Sequence, residues 1–221
     1  MNSKSMEAKR KAIYIHGLGG SGNGSSAQNV KKMLEDEWSG KYEFSANTYD
    51  LLKPEESFEK ISSDVKDADF VIASSLGAFY AVSVFICTKM LFLNPCLEPE
   101  TAIPKILYPE QKNAFDEEKS VAAWKKIKKK WKLLDREDCG LRFGVFSDKD
   151  ELFSFKDVYE KNFGTSFGTE NFCMIHGSHE IAKNANQLKA AFESFKKYGD
   201  ESGDVMARQS SYCFGSWENG V

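Results

Sequence analysis

The chain has 221 residues, 41% hydrophobic and 29% charged, which is ordinary for a globular protein with one substantial core. A net charge of -3 argues against a general nucleic-acid binder, and no apolar run approaches the roughly 18 residues that span a bilayer. The five cysteines form no Cys-x-x-Cys pair or zinc spacing, and the basic N-terminus lacks the apolar stretch of a signal peptide. The expectation is therefore a cytoplasmic protein with reduced thiols, no metal site and no transmembrane segment.

In chain order, short β-rich runs alternate with helical patterns. The strand "AIYI" ends at a glycine loop, and Ser25 or Ser26 caps a helix running to about Trp38. "YEFSANTY" alternates as a strand, and a helix around Phe58, Ile61 and Val65 starts at Pro54 and Ser57. "DFVIAS" is a buried strand, followed by the nearly all-apolar helix "LGAFYAVSVFIC". "KMLFLNP" is a strand stopped by Asn94-Pro95. "LRFGVFS" and "NFCMIH" are two more strands, separated by a helix near Phe155–Phe163, and a last helix covers about Glu180–Tyr198. This rhythm predicts one α/β domain over residues 1–221, with a doubly wound, mostly parallel sheet of about six strands. Its ligand site belongs at the carboxyl ends of the strands. Residues 96–140 read as a helical insertion, and residues 199–221 as a mobile tail with Tyr212, Phe214 and Trp217 as an aromatic anchor.

The loop "HGLGGSGNGSS" fits parts of three motifs. Gly17, Gly19 and Gly22 fit the dinucleotide fingerprint G-x-G-x-x-G, with Asp50 as the acid for ribose hydroxyls. His16 would crowd the first glycine, however, and the loop holds more glycines than that fingerprint needs. Gly19 to Ser26 nearly fits a P-loop, but Ser25 stands where the phosphate-binding lysine belongs, so that chemistry fails. The third fit, "HGLGG", is an oxyanion loop, and it makes demands elsewhere. A nucleophile belongs in a sharp strand-to-helix turn, and Ala73-Ser74-Ser75-Leu76-Gly77 supplies an A-x-S-x-G version of it. An acid and a histidine belong after later strands. Asp148 and Asp150 follow one, and His176 and His179, two of only three histidines, follow the next.

With these residues assembled, "YIHGLGGS", "ASSLGAFYA", "FLNP", "SDKDELF" and "HGSHEI" resemble the small α/β-hydrolase-fold esterases of the YqiA/YcfP type, over about Ala12 to Tyr198. The resemblance implies an α/β-hydrolase fold and a cofactor-free serine hydrolase acting on small-molecule carboxylic esters or acyl thioesters. It places the nucleophile on Ser75, the acid on Asp150 and the base on His179. The sequence departs from that family in the alanine before the elbow and in the longer segment after Pro95. The backbone N–H groups of Leu18 and Leu76 would form the oxyanion hole, with His16 bracing the loop at Gly17 by hydrogen bonding. Asp148 is the competing acid, and His176 is expected to be a satisfied buried histidine. Ser74 is expected to pack behind the elbow. The alternatives are a hydrolase fold retained as a non-catalytic binding protein and, further off, a dinucleotide-binding Rossmann-type protein.

In the insertion, Val121, Trp124, Ile127, Trp131 and Leu134 recur at steps of three and four, so they share one helical face. The lysines from Lys125 to Lys132 cover the rest. One expectation is a helix docked by its tryptophans, its basic side solvated. The sharper one is a lid whose lysines flank the mouth and attract anionic substrates or an anionic membrane surface.

Overall fold

The computed structural model describes residues 9–38, 41–84, 86, 88–133, 141–166 and 169–213, with the backbone alone for 114, 132, 133, 165, 166, 169 and 200–213. Strands β1 (Arg10–Ile15), β2 (Tyr42–Ser45), β3 (Phe70–Ser74), β4 (Lys89–Leu93), β5 (Arg142–Ser147) and β8 (Phe172–Ile175) form one sheet. Its order is β2-β1-β3-β4-β5-β8, and every pairing is parallel. A two-stranded antiparallel ribbon, β6 (Thr165–Ser166) with β7 (Thr169–Glu170), stands apart from it.

Period-two side-chain alternation makes the two cores. Ala12, Tyr14, Phe70, Ile72, Leu91 and Leu93 face helices α1 (Ser25–Trp38) and α8 (Ala185–Cys213), where Val30, Leu34, Leu188 and Phe192 close the layer. Ile13, Ile15, Val71, Ala73, Met90 and Phe92 face the other side. That side is covered by α2 (Pro54–Val65), α3 (Ser75–Val82) and α7 (Lys156–Phe163). The sheet reverses its build-out direction between β1 and β3. This topological switch point is where an open α/β sheet offers a crevice to a ligand.

The insertion folds as α4 (Pro99–Ile106), α5 (Pro109–Ala114) and α6 (Glu117–Lys128), then a 3-10 turn over Lys129–Leu133. Prolines occupy the first turns of α4 and α5, where their missing N–H costs nothing. Asp116 caps α6 by accepting the Lys119 N–H. Trp124 and Trp131 are buried, and their indole N–H groups donate to Tyr80 Oη at 2.8 Å and Ser83 Oγ at 2.7 Å, on and just after α3. Leu134, expected on the same face, lies outside the described residues.

The final helix corrects the sequence reading at both ends. Residues Ile181–Lys183 form a 3-10 turn, and Asn184 Oδ1 caps α8 by accepting the N–H groups of Asn186 and Gln187. The helix then continues past Tyr198, its expected end, to Cys213. Glycine costs a helix only about 1 kcal/mol against alanine, so Gly199 does not end it. Tyr212 falls within the helix backbone, and Phe214 and Trp217 lie outside the described residues.

Candidate active site

Ser75 sits at the sharp turn from β3 into α3, with a φ of +49°. A residue with a Cβ rarely adopts that conformation, and it survives here because the packing around it is fixed. The turn is possible because its neighbours are small. A Cβ on Gly77 would stand 2.2 Å from the His16 carbonyl oxygen, and one on Gly17 would stand 3.0 Å from Ser75 Cβ. The glycine loop after β1 therefore closes directly on the serine.

Three side chains meet here from separate loops. His179, after β8, brings Nε2 to 3.0 Å from Ser75 Oγ. Its Nδ1 lies 2.8 Å from Asp150 Oδ2, and the two side chains are 8% and 3% exposed. Asp150 Oδ1 accepts the N–H groups of Leu152 and Phe153, which fixes the carboxylate in the turn after β5. Burial pushes the Asp150 pKa up, but the His179 bond and these two N–H donors outweigh it and hold the group below the ordinary 3.8. Phe153 sets its ring against the imidazole at 4.8 Å, edge to face. The His179 N–H donates to Glu151 Oε2, a tether with no sequence signal of its own.

His16 is buried, with both ring nitrogens engaged. Its Nδ1 lies 2.7 Å from the Gly17 carbonyl oxygen, and Nε2 accepts the Tyr49 N–H at 3.0 Å. That pattern fits a neutral imidazole with its proton on Nδ1. The Gly17 carbonyl also accepts the Gly20 N–H, so this oxygen is turned into its own loop. Leu18 follows in the loop, and Leu76 occupies the second position of α3, where an N–H has no intrahelical acceptor. Neither N–H is paired with a carbonyl among the described residues.

Burial lowers the His16 pKa below its ordinary 6.5, against the opposing pull of the Gly17 carbonyl. The unfolded chain then takes up a proton that the native state refuses, so stability rises with pH across this window and falls as pH drops below about 6.5. The depressed carboxylates Asp148 and Asp150 lose their contributions only at lower pH, below 3.8. In thermal melts between about pH 5 and pH 7.5, the wild type should lose Tm on acidification more steeply than His16→Asn. Parallel curves for the two proteins would remove His16 as the source.

The second acid and second histidine pair with each other. His176 Nδ1 lies 2.8 Å from Asp148 Oδ2, with side chains 73% and 44% exposed. His176 is therefore satisfied but not buried, contrary to expectation, because it is the first residue past the sheet. Ser74 bonds the Tyr14 hydroxyl at 3.0 Å, and both residues line the cleft rather than packing behind the elbow.

A cleft of about 290 Å³ opens over Ser75 and His179. Leu18, Ile106, Tyr108, Leu152, Ile181 and Ala182 supply apolar walls, and Tyr14, Ser26, Ser74, Gln111, Glu180 and Lys183 supply polar ones. The insertion contributes its α4–α5 junction, not α6. Among the described residues, none of the lysines from Lys125 to Lys130 is part of the cleft wall, where the lysine present is Lys183. Lys126 pairs with Glu55, Lys128 with Glu98 and Glu100, and Lys130 lies 4.1 Å over the Phe58 ring.

The same architecture recurs among solved structures. The esterase domain of a Rhodothermus marinus protein superposes with a TM-score of 0.60 at 11% identity, over 89% of this chain and 88% of that one. Alpha/beta hydrolase domain-containing protein 10 from mouse gives 0.54 at 13% identity, over 91% and 92%. A thioesterase domain from the curacin biosynthetic pathway gives 0.50 at 12% identity, over 83% and 89%. The fold is that of the α/β-hydrolases. No family model matches the sequence, and no curated protein matches it at a significant level. Within the α/β-hydrolase fold, the turn after β3, the loop after β5 and the loop after β8 are the three places from which this chain presents Ser75, Asp150 and His179. No described helix is long and apolar enough to cross a membrane.

Proposed function

We propose that this chain is a serine hydrolase that cleaves carboxylic esters or thioesters of small substrates. The observation that carries this reading is the continuous chain from Ser75 Oγ to His179 Nε2 and from His179 Nδ1 to Asp150, at 3.0 and 2.8 Å. His179 takes the hydroxyl proton as Ser75 Oγ attacks the acyl carbon, and Asp150 stabilises the imidazolium that forms. The Leu18 and Leu76 N–H groups hold the oxyanion, each contributing about 3 kcal/mol where charge develops away from water. His179 then returns its proton to the departing alcohol or thiol. Water activated by the same imidazole releases the acid and restores Ser75.

A cleft near the small end of the usual range of about 300–1,000 Å³ suits a compact acyl group. Several α/β-hydrolase neighbours are described as an esterase, a hydrolase and a thioesterase, which is consistent with ester or thioester chemistry. The competing reading is a binding protein that keeps the fold without turnover, and it predicts no covalent adduct.

Labelling with a fluorophosphonate probe separates the two. Wild type should be labelled and should hydrolyse short p-nitrophenyl esters in the presence of EDTA, whereas Ser75→Ala should do neither. Wild type that resists the probe and leaves the esters intact is a binding protein. Labelling that persists in Ser75→Ala assigns the nucleophile elsewhere.

A further inference from the structure

The strand β4 contributes no residue to the proposed triad, yet its end touches all three triad loops. Asn94 follows β4 directly, is 3% exposed, and has a φ of +43°. Its main-chain N–H donates to the Val145 carbonyl of β5 at 2.8 Å. Its side-chain Oδ1 accepts the Ser147 N–H at 2.7 Å, and Nδ2 donates to Ser147 Oγ at 3.0 Å. The same Nδ2 reaches the carbonyl oxygens of His179 at 2.9 Å and Ser178 at 3.2 Å. Two residues on, the Cys96 N–H donates to the Ser75 carbonyl at 3.0 Å.

One tight turn thus grips the strand end before Asp150, the main chain of His179 and the main chain of Ser75. Both non-glycine residues with positive φ among the described residues, Ser75 and Asn94, belong to this cluster. A strained conformation held in place by so many bonds serves positioning. Asparagine suits the turn twice over. It tolerates the left-handed region better than most residues, and its amide is both donor and acceptor. An aspartate of the same shape would turn an oxygen against the two carbonyls.

We propose that Asn94 is a positioning residue: its side-chain amide holds the His179 main chain so that the imidazole stays in register between Ser75 and Asp150. The His179 main chain is then fixed from both sides, its N–H by Glu151 and its carbonyl by Asn94 and the Ile181 N–H. Removing Asn94 frees one of these anchors while the imidazole, the serine and the oxyanion donors all remain. The expected defect is mainly in kcat, because Asn94 itself lines no wall of the cleft. A misplacement on the order of 1 Å at a catalytic group costs roughly 10²-fold. The kinetic arm rests on the serine-hydrolase reading above, and the spectroscopic arm does not.

The experiment uses Asn94→Gly, since glycine accepts the positive φ and removes only the amide. Asn94→Asp is the isosteric second variant, keeping the acceptor for the Ser147 N–H. Val65→Ala, at the far end of α2, serves as a control for lost stability alone. In protein with ¹⁵N-labelled histidine, the His179 Nδ1 proton shared with Asp150 gives a downfield resonance, assigned by its absence from His179→Ala. That resonance should persist in wild type and Val65→Ala and broaden away in folded Asn94→Gly or Asn94→Asp. With a p-nitrophenyl ester, kcat should fall about 10- to 100-fold in both Asn94 variants with little change in KM. Adding Asn94→Gly to His179→Ala should cost nothing further, since Asn94 acts through that histidine. A folded Asn94 variant that keeps the resonance, or keeps wild-type kcat, overturns the proposal. So does loss of the resonance in Val65→Ala to the same degree. If wild type hydrolyses no ester, the serine-hydrolase reading fails alone and the resonance still decides the role of Asn94.

Discussion

Replacing His179 with alanine should lower kcat for a short p-nitrophenyl ester by about 10⁶-fold, the scale expected when a triad base is lost. His176→Ala should leave kcat near wild type. The two histidines stand three positions apart, so the contrast tests geometry rather than composition. Only His179 reaches Ser75 Oγ, at 3.0 Å, whereas His176 sits 73% exposed against Asp148. Steady-state kinetics on both variants, with circular dichroism to confirm folding, checks the result. A large loss in His176→Ala with His179→Ala unaffected would reverse the assignment.

Asp150→Asn should cost about 10⁴-fold in kcat while binding is little changed. The asparagine keeps the shape of the carboxylate but cannot fix the imidazole tautomer or balance the imidazolium. Asp150 is 3% exposed, and its bond to His179 is shielded from water, so no solvent-borne group replaces the missing charge. Asp148→Asn should change kcat hardly at all. Its bonds run to His176 and to the Gly177 N–H, at the outer side of the same pair of loops. Equal losses in the two variants would mean that the outer pair sets the loop conformation as strongly as the inner pair acts on the serine.

The parts of this molecule legible in its sequence are those written in short segments at strand ends. The alternation of short β-rich runs with helical patterns announces the doubly wound sheet, because each central strand is buried on both faces and each helix covers one of them. The glycine loop, the elbow around Ser75, and the acid and histidine pairs are each local and each follow a strand. Chain order alone therefore converges them. What stays hidden depends on contacts between distant segments. The docking of α6 follows from where Trp124 and Trp131 find their acceptors, on Tyr80 and Ser83, and no periodicity states that. The cleft walls at Ile106, Tyr108 and Leu152 come from segments whose own patterns carry no such signal. The tethers from Glu151 and Asn94 to His179 are tertiary in the same sense. The Gly- and Ser-rich composition after Tyr198 hid the continuation of α8 to Cys213, because each such residue costs little beside the cooperative propagation of a long helix.

The insertion divides into a pinned half and a presented half. Its tryptophans anchor α6 to the elbow helix, whereas the α4–α5 junction carries Ile106 and Tyr108 to the cleft, with Tyr108 66% exposed. Surface positions such as Tyr108 accept substitution at little cost to stability, whereas truncating a buried tryptophan costs about 3–5 kcal/mol. Substitutions at Tyr108 and Gln111 thus alter the rim while Leu107, 5% exposed, keeps the junction fixed to the core. On the serine-hydrolase reading, this junction is the part of the cleft wall whose replacement would change substrate preference at the least cost to the fold.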